Sequence, residues 1–277
     1  MGAKVILDNH DPMPNTFASK FRSGENSLPF RLLLWEERMA ARFADQDITV
    51  HEPDRDRNLV GQHRLPPESI EVVANFADDE LFTLREPAPP RGRLRLVFHG
   101  TILERYGLRD AMHALARMQH RDRIAVKIIG EGDFSAGLKE LIASLGLREV
   151  VEFDNRMYPV SDIPRMLADC DVGLVPLEIS SITEYALPLK LLEYLSMGMP
   201  SITVRNTAIG YYFGEADCLF YEPGDVESLR AVLDRLAISP DLLQRYQRRA
   251  AVLREKFVWS RERAKYVALL HKLASPS

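Results

Sequence analysis

Cysteine is scarce, with Cys170 and Cys218 the only two in 277 residues. That count excludes a disulfide framework or a cysteine-rich metal site. Both lie in apolar stretches, where a thiol serves as a small core residue. No apolar run reaches the length of roughly 18 residues that a membrane-spanning helix needs. The opening Met1-Gly-Ala-Lys-Val-Ile-Leu-Asp8 reads as a strand and not as a signal peptide. A reducing, cytoplasmic setting is therefore expected. Positive charge is not in excess. The net charge is −4, which argues against a general affinity for nucleic acid. Internal repeats and low-complexity blocks are missing. So are a P-loop lysine–serine pair, a Ser-His-Asp or Cys-His set, and metal-spaced histidines. Asp54-x-Asp56 and Asp169-x-Asp171 have the bare carboxylate spacing that suits Mg²⁺ or Mn²⁺. The first sits in an arginine-rich loop and the second precedes its strand, so neither is expected to hold metal.

What is present is alternation. Short apolar runs alternate with amphipathic segments, which predicts α/β architecture with doubly wound parallel sheets. The length allows one large or two modest domains. Lys4–Asp8 is the first predicted strand. It runs into Asn9-His10-Asp11-Pro12-Met13-Pro14, and open α/β sheets bind ligands just past such strand ends. His10 is accordingly a candidate, beside the plainer reading of a loop histidine bonded to backbone. Ser27–Asp45 is a predicted helix carrying Leu32-Leu-Leu-Trp35, with Arg31, Arg38 and Arg42 on its polar side. Its apolar stripe is expected in the core, although a basic amphipathic helix also suits an anionic membrane surface. Strands follow at Ile48–Val50 and Ile70–Val73. The proline-rich Pro87-Ala-Pro-Pro-Arg-Gly92 is the expected domain boundary. Arg95–Phe98 then enters His99-Gly100-Thr101-Ile102-Leu103-Glu104-Arg105-Tyr106-Gly107-Leu108, and a helix follows at Arg109–Arg117. Strand, glycine loop and helix is a geometry for holding a diphosphate. The planar fork of Arg105 suits a phosphate, beside the alternative of an exposed loop arginine.

The stretch Leu187–Pro200 concentrates the signal. Pro188 suits a helix start. Leu189, Leu192, Leu195 and Met199 recur at near-helical spacing, and Gly198 and Pro200 stop the helix. Lys190 and Glu193 fall on one side of the first turn. A lysine at a helix N-terminus strengthens an anion site. A carboxylate one turn in accepts two hydrogen bonds from a vicinal diol such as ribose. A surface ion pair on a packing helix is the plainer alternative.

Leu-Pro-Leu-Lys-Leu-Leu-Glu-Tyr followed by Gly-Met-Pro resembles the nucleotide-sugar signature of the retaining GT-B glycosyltransferases of family 4, in a bacterial subgroup. The resemblance covers most of residues 4–274. The wider family pattern is Glu, seven residues, Glu; here Glu193 is the second and Glu184 stands one residue further away. Gly-Thr-x-x-Glu-Arg-Tyr-Gly-Leu resembles the same subgroup, with Arg105 the nearest cation to Gly107 where a Lys-Gly pair is usual. The loop Asp154–Pro159 sits where the family holds the base, with Asn155 in place of a glycine. The resemblance implies two Rossmann-like domains around a cleft. Residues 1–90 are a partial, acceptor-side first domain, 91–257 the nucleotide-sugar-binding domain, and 258–277 a helix returning toward the first. It implies that Gly100, Thr101, Arg105, Lys190 and Leu191 hold the donor diphosphate and Glu193 the ribose, while Glu184 and His10 contact the donor sugar. No cofactor, metal or protein base is implied beyond the nucleoside-diphosphate sugar itself. The partners implied are that donor, a glycan or lipid-linked acceptor, and peripheral contact with the inner membrane. A non-catalytic binding remnant, or a subunit whose first domain a partner chain completes, is the alternative. An epimerase or hydrolase of similar architecture is a third.

Overall fold

The structure is a computed structural model that describes residues 3–10, 12–21, 27–86, 92–180 and 182–275. Residues 87–91 of the expected connector, with Asp11 and Ser181 of the two candidate loops, lie outside the described residues.

The amino-terminal segment begins with β1 (Ile6–Asn9), α1 (Met13–Phe21), α2 (Leu28–Phe43) and β2 (Gln46–Thr49). It continues through a short turn α3 (Glu52–Asp54), a π-helix at Arg55–Gln62 and β3 (Ile70–Val72). Its strands are parallel in the order β1-β2-β3.

The larger segment runs β4 (Leu94–His99), α4 (Leu108–Arg117), β5 (Ile124–Ile129), α5 (Ser135–Ser144), β6 (Val151–Asp154), α6 (Ile163–Leu167) and β7 (Val172–Val175). Then come α7 (Leu189–Ser196), β8 (Ser201–Val204), α8 (Thr207–Tyr212), β9 (Leu219–Tyr221), α9 (Val226–Ile238) and α10 (Pro240–Leu253). These strands form a parallel sheet in the order β6-β5-β4-β7-β8-β9. Successive β4 side chains face opposite sides. Leu96 and Phe98 enter the core with α4, α5 and α9, while Val97 enters the one with α7 and α10. Both faces are covered, so the strands read as continuous apolar runs. The order reverses between β4 and β7, and the crevice at such a switch point is where open α/β sheets take ligands.

The last helix, α11 (Trp259–Ala274), packs Trp259, Tyr266, Leu269 and Leu273 against Ile6, Ile48 and Val73 of the smaller sheet. Buried Glu262 accepts from the Ala74 N–H at 2.9 Å.

α2 departs from the expectation. Ser27 caps it, accepting from the Phe30 N–H. Its buried residues are Phe30 and Ala41, and Ala41 joins Leu59, Leu65 and Ile70. Leu32 and Trp35 are 57% and 62% exposed. The face turned to the core is therefore not the strongest apolar stripe. The arginine expected on the solvated side, Arg38, reaches under the helix to the Gln62 carbonyl at 2.5 Å.

Candidate active site

The crevice at the carboxyl ends of β4 and β7 is a cavity of about 580 Å³. Gly100, Thr101, Arg105, Lys190 and Glu193 of the expected set line it, together with Tyr106, Arg156, Tyr158 and Leu177. The loop after β4 builds one wall. The turn after β4 passes through Gly100 at φ +108°, and a β-carbon there would meet Lys190 Nζ at 3.6 Å. A side chain at that position would therefore be strained by its backbone conformation, while the approach to the ammonium is ordinary van der Waals contact.

The opposite wall is α7. Pro188 precedes it with extended backbone, as its fixed φ allows. Lys190 folds its ammonium over the Phe98 ring, 3.7 Å from the centroid, and lies 4.9 Å from the Tyr106 centroid. Burial against these rings pulls its pKa down to about 7, partly opposed by Glu193. A half-buried cation held by ring faces gains from an arriving anion. Arg105 stands exposed on the facing loop, its guanidinium 5.3 Å from the Tyr106 centroid. Tyr106 thus touches both cations.

Glu193 is only 7% exposed. Its Oε2 lies 2.7 Å from His99 Nε2, and His99 Nδ1 lies 2.9 Å from the Tyr194 hydroxyl. That hydroxyl donates to the Val97 carbonyl and accepts from the His99 N–H. Burial pushes the tyrosine pKa well up. The Tyr194 ring is seated against Gly173 of β7, where a β-carbon would come within 2.0 Å of it. The end of β4, the middle of β7 and α7 are thereby locked together, and the carboxylate is aimed by a buried network. Sequence reading missed His99 and Tyr194. The one available signal was that His99 closes the strand whose loop carries the glycine.

Other expected residues fall elsewhere. Leu191 is buried in the core, and its N–H donates to the Pro188 carbonyl at 3.0 Å. It is therefore not a free donor for a ligand, because the helix closes its first turn on that bond. Glu184 does not line this cavity. Its Oε1 accepts from the Thr207 hydroxyl and from the Thr207 N–H at 3.2 Å, which fixes the start of α8. The extra residue before Glu193 accompanies this outward turn.

His10 lines a second, smaller cavity of about 260 Å³ between β1, the π-helix and the loop before α7. It lies 3.1 Å from Asp8 Oδ1. Ile182 and Ala186 are common to both cavities, so the two adjoin. Buried His51, Asp54 and Asn58 also line the smaller one. Asp54 accepts from Thr49 and Asn58, and its N–H donates to His51 Nδ1 at 3.1 Å. Arg57 on the π-helix stacks over Tyr185, 3.9 Å from its centroid. The other carboxylate pair is also engaged: Asp169 with Arg95, and Asp171 with the Arg95 N–H.

Two facing Rossmann-like units with a cation-lined crevice define the GT-B class of α/β protein. The model of the family described as Glycosyl transferases group 1 matches residues 82–252, more than half of the chain. The chain belongs to this family. It is 27% identical over 223 residues to the MMP alpha-(1->4)-mannosyltransferase of Mycolicibacterium hassiacum, covering 78% of this chain and 51% of that protein. The chain thus spans about half the length of this curated relative. Its fold is similar to Anabaena HepE solved with UDP and glucose, with TM-score 0.75 at 16% identity, covering 97% of this chain and 72% of that one. It is also similar to sucrose-phosphate synthase of Thermosynechococcus elongatus, with TM-score 0.68 at 15% identity, covering 97% and 73%.

Proposed function

We propose that the chain is a retaining, family 4 glycosyltransferase that moves a sugar from a nucleoside-diphosphate donor to an acceptor hydroxyl. The observation that carries this reading is the convergence of Lys190, Arg105 and the buried Glu193 on one cavity at the strand switch point. Leaving-group departure needs negative charge stabilised on the diphosphate. Lys190 and Arg105 meet that need, with the loop at Gly100 and Thr101 shaping the approach. Glu193, aimed by His99, accepts from the ribose hydroxyls. His10 and the smaller polar cavity lie where the transferred sugar and an incoming hydroxyl meet. In this reading residues 1–90 form the acceptor side, 91–257 the donor side, and 258–277 the helix that ties them. The acceptor is a glycan or lipid-linked hydroxyl, and the setting is cytoplasmic. The named mannosyltransferase relative and the UDP and glucose in the HepE structure support a nucleotide-sugar donor.

The test is a thermal-shift titration with UDP, GDP and ADP. A ligand at about a hundred times its dissociation constant stabilises by roughly 2.7 kcal/mol. One nucleotide is expected to shift the melt, and incubation of its sugar with acceptor glycans should yield product of unchanged anomeric configuration. No shift with any nucleotide sinks the reading. A shift without turnover favours the second reading, a donor-binding chain whose partner completes the acceptor side, to which the three-stranded first sheet points.

A further inference from the structure

Arg57 stands in the smaller cavity with its guanidinium over the Tyr185 ring, 3.9 Å from the centroid. Both residues are half-buried. Stacking holds a guanidinium by its face and leaves its N–H edge for other partners. Among the described residues, Arg57 has no hydrogen bond and no ion pair besides this ring contact.

That lack is not for want of carboxylates. Glu52, Asp54 and Asp56 all precede Arg57 within five residues, and each is engaged elsewhere. Glu52 accepts from the Tyr212 hydroxyl, and Asp56 pairs with Arg55 at 2.8 Å. Asp54 is the acidic residue lining the cavity, and its two oxygens accept from Thr49 and Asn58. Beside Tyr185 in the chain, Glu184 is taken by Thr207, and Asp8 lies against His10. The fork of Arg57 therefore keeps an unmatched charge, and an oxyanion meets it with paired N–H bonds. The rest of the lining is neutral and hydrogen-bonding. Asn15, Thr16 and Asn75 offer amides and a hydroxyl, which suit sugar hydroxyls. Burial pulls the His51 pKa below the ordinary histidine value, so its ring stays uncharged. At about 260 Å³ the cavity is smaller than a drug-sized site and on the scale of one sugar unit.

We propose that Arg57 reads an anionic group, a carboxylate or a phosphate, on the acceptor, so that the acceptor is an acidic saccharide. The sugar's role as acceptor rests on the transferase reading given above. The preference for an anion rests on Arg57 and its surroundings.

The test is saturation-transfer NMR with calorimetry on the full chain, using glucuronate, glucose 6-phosphate and glucose without nucleotide. The acidic sugars are expected to bind at least about tenfold more tightly than glucose, because bonds to a charged fork are the stronger kind. The tighter of the two names the group. Arg57→Gln should bring both down to the level of glucose and leave glucose affinity as it was. Arg57→Lys should keep part of the preference, since the charge stays and the fork goes. Lys190→Met, which removes the ammonium of the donor cavity, should leave the preference intact. Equal affinity for all three sugars overturns the proposal, as does binding of none. A preference that Lys190→Met removes and Arg57→Gln keeps also overturns it, because the anion then sits with the donor cations. Equal loss of neutral and acidic sugars in Arg57→Gln overturns it in favour of a structural stack on Tyr185. In turnover, Arg57→Gln should raise the KM of an acidic acceptor about tenfold and spare the donor KM, and the reverse pattern overturns the acceptor assignment. Failure of the transferase reading is separate: a chain that no nucleotide stabilises, yet that holds acidic sugars through Arg57, loses that reading and upholds the anion site.

Discussion

Glu193 sits three residues after Lys190 on α7, and the two differ in how they are held. The carboxylate is gripped by His99 at 2.7 Å, whereas the ammonium rests on ring faces. Glu193→Ala should weaken nucleoside diphosphate binding by about 1–3 kcal/mol through lost charged hydrogen bonds. His99→Ala should weaken it as well, because the carboxylate loses its aim. The double variant should fall short of the sum by about 0.5–3 kcal/mol. Calorimetric titration of all four proteins checks this, and strict additivity would show that His99 does not act through Glu193. Lys190 makes a pH prediction. Its folded pKa is depressed to about 7 from 10.5, so between these values the unfolded chain binds more protons than the folded one. Its contribution makes stability rise with pH across that window. A bound diphosphate supplies the missing anion and raises the pKa again. Nucleotide binding just above neutral pH should therefore take up a proton, and affinity should fall as pH rises past about 7. Titrations in buffers of different ionisation enthalpy measure the uptake, and Lys190→Met should abolish it.

At the scale of elements, the loop before α7 is positioned by the start of α8. Asn206 caps α8, accepting from the Ile209 N–H at 2.7 Å, and its amide donates to the carbonyls of Thr183 and Ala186. Glu184 reaches the same helix start through Thr207. Asn206→Ala should cost about 1–2 kcal/mol from the cap, measured by urea denaturation. Because Ala186 borders both cavities, donor affinity should fall too. A melt unchanged within a few tenths of a kcal/mol would remove the cap from this account. The expected elements were legible within a residue or two, since their apolar periods are local: the helices read at Ser27–Asp45 and Arg109–Arg117 and the strand read at Arg95–Phe98 are found as Leu28–Phe43, Leu108–Arg117 and Leu94–His99. The orientation of α2 was not legible. Its period defines an apolar stripe, but Phe30 and Ala41 are the residues buried, and Ala41 packs with Leu59, Leu65 and Ile70 of the following segment, a contact that no local period encodes.

Over the whole molecule, the two sheets are joined by α11 and a few polar contacts between distant residues. Glu262 is buried and holds the Ala74 N–H. Tyr212 donates to Glu52 across the same divide. Glu262→Ala leaves a buried N–H without its acceptor and should cost about 1–3 kcal/mol, read from chemical denaturation. If the smaller sheet is docked mainly by that bond, limited proteolysis should then cut earlier within residues 3–86. A variant as stable and as protease-resistant as the parent would assign the docking to the apolar face of Trp259, Tyr266 and Leu269 alone. The sequence by itself determined the alternation of strands and helices, the glycine loop after β4, and the shared helix face of Lys190 and Glu193. Each follows from spacing within one or two turns, where backbone geometry decides. Only the tertiary structure decided that His99 grips Glu193 across 94 residues, that Phe98 and Tyr106 hold Lys190, and that Glu184 turns away to Thr207. Those contacts depend on how parallel strands are ordered and which faces are covered, and such burial is summed over the whole chain and written in no single stretch.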